Sequence, residues 1–136
     1  KRYIVIRKNC QTDETMVRAD KTRIQQVLYN LVDNAMKFSP HGATITIIVT
    51  DANEKIFISV KDTGQGIDKD KQNKVWNRFY KADASRGKHK QGSGLGLSII
   101  REIIHAHDEN ITLTSTPGVG SEFTFSLKKA PNTYHS

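Results

Sequence analysis

The chain has 136 residues, of which 36% are hydrophobic and 26% are charged, so it can form one globular domain with its own core. This composition excludes a disordered chain, and the short apolar runs exclude a transmembrane helix within these residues. The 21 Lys and Arg against 14 Asp and Glu give a net charge of +7, which suits a nucleic acid or a small phosphate-bearing ligand. Aromatic residues are not interleaved with the basic ones, which disfavours nucleic acid. Cys10 is the single cysteine and fits a reducing compartment.

The first half of the chain predicts two short strands, a long helix and a hairpin. The strands cover residues 3–7 and 16–19, and the abrupt strand-like start indicates a piece of a longer protein. Asp20 is a suitable N-cap for the helix, which must end before Pro40. Its apolar residues recur at helical spacing and are Ile24, Val27, Leu28, Leu31, Val32, Ala35 and Met36. Residues 43–50 and 55–61 are rich in β-branched residues and predict an antiparallel hairpin with its turn at 51–54.

The second half predicts a short helix over 69–77, an amphipathic helix over 95–106, and strands over 111–115 and 122–128. Residues 81–94 contain almost no apolar side chain, and a loop of that length in a compact domain is usually functional. Hairpins dominate, and no β-α-β alternation runs through the chain. We therefore expect an α+β fold, a two-layer α/β sandwich whose mixed, mainly antiparallel sheet is covered on one face by about three helices.

The usual phosphate-binding and zinc-binding motifs are missing from the sequence. Gly87-Lys88 is followed by His89, which is not a P-loop, and Leu97 stands where a dinucleotide fingerprint needs its third glycine. No Cys and His spacing suits zinc. Three other features remain as candidates for a binding site.

The first feature is a polar stripe on the long helix, formed by Asn30, Asn34 and Lys37. At i, i+4 and i+7 these residues fall within an arc of roughly 60° that borders the apolar stripe. Amide oxygens suit Mg²⁺, and a lysine is a point charge for phosphate. The alternative is an ordinary solvated helix face.

The second feature is the segment Asp62-Thr63-Gly64-Gln65-Gly66-Ile67, which follows a predicted strand. A carboxylate at a strand end can accept a hydrogen bond from a ligand amine, and bare glycine backbone lets the ligand approach. The alternative is an Asx-type turn in which glycines supply positive φ.

The third feature is the segment 92–98, Gly-Ser-Gly-Leu-Gly-Leu-Ser, which opens the second amphipathic helix. Glycines leave backbone N–H groups free at a helix N-terminus, and such a terminus binds anions. The alternative is a flexible hinge that caps the helix.

Together these segments resemble the sequence boxes of sensor histidine kinases. Residues 30–39 resemble the asparagine box, 62–67 and 92–97 the two glycine boxes, and 78–80 the phenylalanine box, while 118–123 resemble the final glycine turn. All occur in family order over roughly residues 1–128. The chain thus resembles the catalytic and ATP-binding domain of a two-component sensor histidine kinase, in the Bergerat-type superfamily shared with DNA gyrase and Hsp90.

This resemblance implies that ATP and Mg²⁺ are the ligands. Asp62 would accept the adenine amino group, Phe38 would pack on the ring, and Ser121 would assist through water. Asn34 would hold Mg²⁺ with help from Asn30, and Lys37 and Arg78 would position the phosphates. The implied nucleotide-binding residues are Asn30, Asn34, Lys37, Phe38, Asp62, Gly64, Gly66, Ile67, Arg78, Tyr80, Gly92, Gly94, Leu95, Gly96 and Ser121.

The turn after the second helix departs from the family pattern. The usual two glycines after His107 are Asp108 and Glu109, and we expect Asn110 to take the left-handed conformation, with a changed turn and an intact site. None of the five histidines lies in the H-[ED]-x-[RK]-x-P context of the family's phosphoacceptor. We therefore expect His105 and His107 to be packing or surface residues.

The resemblance also implies one domain over 1–136, with its core at 3–128, an ATP lid at 81–93 and a frayed tail at 130–136. It would be a monomer that donates a phosphoryl group to a histidine on a separate helical dimerisation domain, and would reach a response regulator only indirectly. It would be the cytoplasmic part of a membrane-bound sensor, with no contact to membrane or nucleic acid. Alternatives are an anti-sigma-type serine kinase and a non-catalytic ATP-sensing module of the same fold.

Overall fold

The computed structural model describes residues 5–10, 17–37, 39–77 and 96–129. The predicted ATP lid and the predicted frayed tail lie outside these ranges. In chain order the strands and α-helices are β1 (Val5–Cys10), β2 (Val17–Arg18), α1 (Lys21–Lys37), β3 (Thr44–Ala52), β4 (Lys55–Asp62), α2 (Leu97–Ala106), β5 (Ile111–Thr116) and β6 (Gly120–Lys129). Within the described part of the chain, no helix is both long enough and apolar enough to span a membrane.

The six strands form one mixed sheet. Its order is β1-β3-β4-β6, and the far edge of β6 is shared by β5, which pairs with its first half, and β2, which pairs with its last two residues. Among the strands of the described ranges, only the β1–β3 pair is parallel, and the pairs β3–β4, β4–β6, β5–β6 and β2–β6 are antiparallel. The predicted fold class is confirmed, an α+β sandwich with a mixed, mainly antiparallel sheet.

Alternation along the central strands produces the core. Val60 on β4 is directly paired with Phe123 on β6, Ile45 lies on the same face of β3, and all three are buried. Their neighbours in sequence point to the opposite face, which carries threonine and serine side chains, as expected for a sheet with one covered face. The helices contribute the other half of the core through Val27, Leu31, Ala35, Ile100, Ile103 and Ile104.

The predicted start of α1 is confirmed by its cap. The Asp20 carboxylate accepts a hydrogen bond from the backbone N–H of Arg23 at 3.2 Å, and the Asp20 carbonyl accepts one from Ile24 at 2.9 Å. Both are the bonds of an N-cap residue. The predicted apolar stripe of this helix packs into the core except for Met36, which is exposed.

The end of α2 differs from the prediction, because Asp108 and not Asn110 adopts the left-handed conformation, at φ +59°. The N–H of Asp108 bonds to the carbonyl of His105 at 2.9 Å, and the N–H of Glu109 bonds to that of Ile104 at 3.2 Å. These two bonds define a Schellman motif, which requires positive φ at the first residue past the cap. Asn110 comes two residues too late to fill that position.

Glu109 is buried beside the start of β5, on the sheet face away from the helices. Its Oε1 accepts a hydrogen bond from Ser126 Oγ at 2.6 Å and lies 3.0 Å from Lys55 Nζ, while its Oε2 lies 3.9 Å from Lys128 Nζ. Burial raises the pKa of Glu109, but the hydrogen bonds and the two lysines outweigh it and hold the pKa below its usual value. The carboxylate neutralises two lysines that are directly paired across β4 and β6.

The short helix predicted over 69–77 forms instead as two separate 3-10 turns, at Lys69–Lys71 and Lys74–Trp76. The segment lacks the helical spacing of apolar residues, and only Val75 is buried. Trp76 packs edge-on against Phe123, with ring centroids 5.7 Å apart, and Arg101 of α2 lies over its indole ring at 5.6 Å. These contacts fix the segment against the core without a helix.

Candidate functional site

Asp62 ends β4 and forms the turn that the alternative interpretation predicted. Its Oδ1 accepts a hydrogen bond from the N–H of Gly64 at 2.8 Å, which is an Asx-turn. The N–H of Ser121 also donates to this carboxylate. Burial raises the pKa of Asp62 above its usual value, and the two N–H groups only partly oppose that effect. The turn is therefore real, and it leaves a half-buried carboxylate at the strand end with further acceptor capacity.

Two glycines allow the backbone around Asp62 to pack closely. Gly66 has φ +76°, and a Cβ built on it would lie 2.8 Å from the carbonyl carbon of Thr116. Gly120 has φ +149°, and its Cβ would lie 3.0 Å from the carbonyl carbon of Asp62. No other residue fits either position without moving backbone. Both glycines hold the loop after β4 against the β5–β6 hairpin.

Ser115 on β5 gathers the hydrogen bonds of that hairpin and loop. It pairs with Ser121 in the sheet, and the two hydroxyl oxygens are 2.8 Å apart. Its Oγ also accepts from the N–H of Ile67 at 2.8 Å and donates to the carbonyl of Gly120 at 3.0 Å. One side chain thus ties the loop after Asp62 to the strand that carries Ser121.

Gln72 makes a second tie between the same loop and β5. Its Nε2 donates to the carbonyl of Ile67 at 2.9 Å and to that of Ser115 at 3.0 Å. The N–H of Gly118 adds a backbone bond to the carbonyl of Gln65 at 2.8 Å. The loop is therefore fixed along most of its length, which is what a preformed binding site requires.

The polar stripe on α1 is partly buried. Asn30 is 4% exposed, and its Nδ2 donates to the carbonyl of Gln26 at 2.7 Å. Its Oδ1 is buried without a hydrogen-bond partner within the part of the chain that the structure describes. A buried amide oxygen without a partner costs about 1–3 kcal/mol, and a cation or a water bound there would remove that cost. Asn34 is half-buried one turn further on.

Lys37 is the last residue of α1, and its Nζ lies 3.2 Å from the carboxylate of Asp33 one turn earlier. Both side chains remain about one quarter exposed, so the pair is solvated and its energy is small. The ion pair holds the ammonium group near the end of the helix, where an incoming phosphate would compete with the carboxylate of Asp33.

The topology brings these groups to one end of the sheet. α1 ends before β3, and the first residue of β3, Thr44, exchanges hydrogen bonds with Thr63 beside Asp62, at 2.9 and 3.1 Å. α2 ends next to the start of α1, because His107 Nε2 accepts a bond from the N–H of Asp20 at 3.0 Å.

Eight of the predicted site residues lie on the elements described above, with Lys37 at the end of α1 and with Asn34 and Asn30 about one and two turns earlier on that helix, while the others lie at or after the end of β4 and on β6. They are Asn30, Asn34, Lys37, Asp62, Gly64, Gly66, Ile67 and Ser121. Gly96 immediately precedes α2. Phe38, Arg78, Tyr80, Gly92, Gly94 and Leu95 lie outside the described residues.

Ser115, Gln72 and Gly120 are structurally important here but are not among the predicted site residues. The pairing of Ser115 with Ser121 could have been predicted from the hairpin, because a turn at 117–119 places the two residues opposite each other. Gly120 belongs to the predicted final glycine turn, but its close contact with the backbone of Asp62 is seen only in the structure. No pattern in the sequence points to Gln72.

Comparison with known proteins identifies the family of this chain. The model of the histidine kinase-, DNA gyrase B-, and HSP90-like ATPases matches residues 19–131. Sensor histidine kinase WalK of Bacillus subtilis (strain 168) is 41% identical over 122 residues, which are 88% of this chain and 20% of WalK. The chain therefore belongs to the histidine kinase-, DNA gyrase B-, and HSP90-like ATPase family.

Among solved structures the chain is similar to catalytic domains of histidine kinases. The nucleotide-free catalytic domain of histidine kinase ThkA superimposes with a TM-score of 0.79 at 33% identity, covering 93% of this chain and 79% of that one. ThkA has also been solved in complex with a response regulator, TrrA. Full-length ShkA in complex with AMPPNP gives a TM-score of 0.79 at 26% identity, covering 93% of this chain and 26% of ShkA.

Proposed function

We propose that the chain binds Mg-ATP and donates the γ-phosphoryl group to a histidine on a separate helical domain. The observation that carries the proposal is the half-buried Asp62 carboxylate, fixed in an Asx-turn where β4 ends, and the partly buried amide stripe of α1 adds to it. The carboxylate offers an acceptor to the adenine amino group, and the stripe offers oxygen ligands to a cation. The AMPPNP bound to the related ShkA supports a nucleotide ligand.

The residues present fit a magnesium ion. Asn34 would hold it with help from Asn30, whose buried Oδ1 lacks a partner among the described residues. When bound, Mg²⁺ would neutralise phosphate charge. Lys37 would contribute a point charge at the helix end, and Arg78 is assigned the same task from the sequence alone.

Asn30 favours a phosphoryl donor over a water-splitting enzyme. By the family resemblance, related ATPases carry a glutamate at this position as a base for water. An amide has no basic group to take a proton, so this chain positions the phosphates and leaves the chemistry to the acceptor. The acceptor would be a histidine outside this chain.

We further propose that the domain acts as a cytoplasmic monomer within a sensor kinase whose phosphorylated histidine serves a response regulator. The complex of the related ThkA with TrrA supports that partner. The chain spans 20% of WalK, and the segments of WalK beyond that match would correspond to the helical and sensing parts.

Calorimetric titration with Mg-ATP tests the nucleotide site. Asp62→Asn removes a charged acceptor worth about 1.5–3 kcal/mol, so the affinity for ATP should fall about 10- to 100-fold. Asp51→Asn, at the opposite end of the sheet, is the control and should bind as the wild type does. Unchanged affinity in a folded Asp62→Asn variant would remove Asp62 from the site and with it this proposal.

A further inference from the structure

The hydroxyl groups of Ser115 and Ser121 form a chain whose proton positions can be assigned. Ser115 Oγ has three polar neighbours, which are the N–H of Ile67, the carbonyl of Gly120 and the hydroxyl of Ser121, at 2.8, 3.0 and 2.8 Å. A serine hydroxyl has one proton to donate and two lone pairs that accept. Every bond is satisfied only if Ser115 accepts from Ile67 and from Ser121 and donates to Gly120.

This assignment fixes what Ser121 can offer to a ligand. Its proton points to Ser115, so its oxygen can only accept further hydrogen bonds. Asp62 is directly opposite Ser121 in the β4–β6 register, and both side chains lie on the same face of the sheet. Two acceptors, one of them charged, therefore face the same space.

We propose that Ser115 is a positioning residue for base selection, because it keeps the Ser121 hydroxyl in the accepting orientation. A base with an exocyclic amino group donates protons to this pair of acceptors, directly or through a water, whereas a carbonyl oxygen at the same place would meet only lone pairs. This inference rests on the proposed nucleotide site. It adds a specificity determinant that does not itself touch the base.

A loss of loop rigidity must be separated from this effect, and Gln72 provides the means. Its side chain ties the same loop to β5 through the carbonyls of Ile67 and Ser115, and it does not contact Ser121. Gln72→Leu should therefore weaken the binding of all nucleotides by one common factor. Ser115→Ala should change the discrimination between them.

The experiment measures dissociation constants of Mg-ATP and Mg-ITP, which differ in the amino or carbonyl group at position 6, for five variants of the chain by calorimetry. The variants are Ser115→Ala, Ser115→Thr, Ser121→Ala, the double Ser115→Ala/Ser121→Ala and Gln72→Leu. In Ser115→Ala the released hydroxyl of Ser121 can donate to the carbonyl of inosine. We expect the preference for ATP over ITP to fall about tenfold, the value of one hydrogen bond. Ser115→Thr keeps a hydroxyl and should keep the preference.

Ser121→Ala removes the acceptor and tests the same idea without disturbing Ile67, should Ser115→Ala fail to fold. The preference should fall in this variant, and adding Ser115→Ala should lower it no further. An unchanged preference in folded Ser115→Ala or Ser121→Ala, or an equal loss of preference in Gln72→Leu, would overturn the inference. Absence of ATP binding by the wild type would instead overturn the proposed function.

Discussion

Asp20 donates a hydrogen bond from its backbone N–H to the Nε2 atom of His107, at 3.0 Å. Asp20 is the N-cap of α1, and His107 is the C-cap of α2. The Nδ1 atom of the same ring lies 2.8 Å from the carbonyl of Ile103 and donates to it. The ring therefore joins the two helices, with Nε2 as the acceptor and Nδ1–H as the donor.

Replacing His107 by phenylalanine should keep the packing of the ring and lose both bonds. We expect the free energy of unfolding to fall by about 1 kcal/mol, since one orphaned helix N–H can still reach water. Phosphotransfer to a supplied acceptor domain should continue. Denaturant unfolding and a phosphotransfer assay check both points, with His105→Phe on the exposed side of α2 as the control. Loss of the phosphorylated product in folded His107→Phe would contradict the structural role.

Glu109→Gln should destabilise the domain by about 2 kcal/mol, because Lys55 and Lys128 then face each other without an anion while the bond from Ser126 survives. The pKa of Glu109 is lowered on folding, so its stabilising effect is complete above the pKa of an unfolded glutamate. The effect disappears as pH falls through the folded pKa. The difference between wild type and variant should therefore shrink in acid. Exposed Glu102→Gln is the control, and a difference that persists at low pH would contradict the ionic explanation.

Asp108→Gly should stabilise the domain. Asp108 has φ +59° at the position past the α2 cap, where glycine avoids the steric cost that a side chain carries. We expect a gain of about 1 kcal/mol in the free energy of unfolding, measured by urea titration. Asp108→Ala keeps the cost and loses the short polar side chain, so it should unfold more readily than the wild type. A destabilised Asp108→Gly would show that the carboxylate has another role.

Gly66→Ala should disrupt the loop after Asp62, because the new Cβ would meet the backbone of Thr116 and Pro117. We expect a loss of more than about 2 kcal/mol, and weakened ATP binding even where the domain still folds. Gly118→Ala is the matched control, since Gly118 also has positive φ, +81°, but a Cβ there would meet no atom within 4 Å. Its cost should be limited to backbone strain, about 1–2 kcal/mol. Equal effects of the two substitutions would contradict the close contact as the cause.

The sequence predicted those parts of the fold whose signals are local or periodic. The apolar repeat of α1 and the Asp20 cap are sufficient because a helix forms from neighbouring residues. The predicted hairpin turn covers residues 51–54. In the structure β3 ends at Ala52 and β4 begins at Lys55, so the connection consists of Asn53 and Glu54. Asn53 adopts the left-handed conformation, φ +59°, in this tight turn. The residue types alone do not reveal that the turn is this short.

The site was predictable where one side chain acts from a recognisable segment, as Asp62 and Asn30 do. It was not predictable where residues distant in sequence are joined by hydrogen bonds or ion pairs. Ser115 joins Ile67, 48 residues earlier, and Glu109 joins Lys55, 54 positions away by their residue numbers. Such contacts depend on strand register, which the sequence constrains only through the faces that it buries.

The proposed function is the transfer of a phosphoryl group from ATP to a histidine, and not the hydrolysis of ATP by water. The most direct measurement mixes the wild-type chain with Mg-ATP labelled on its γ-phosphate, with and without a helical domain carrying an H-[ED]-x-[RK]-x-P sequence, and follows phosphohistidine and free phosphate together. We predict phosphohistidine when the acceptor is present, slow phosphate release without it, and neither product with Asn34→Ala, which would no longer hold the metal. Rapid phosphate release by the isolated chain, with no phosphohistidine when the acceptor is added, would contradict the account.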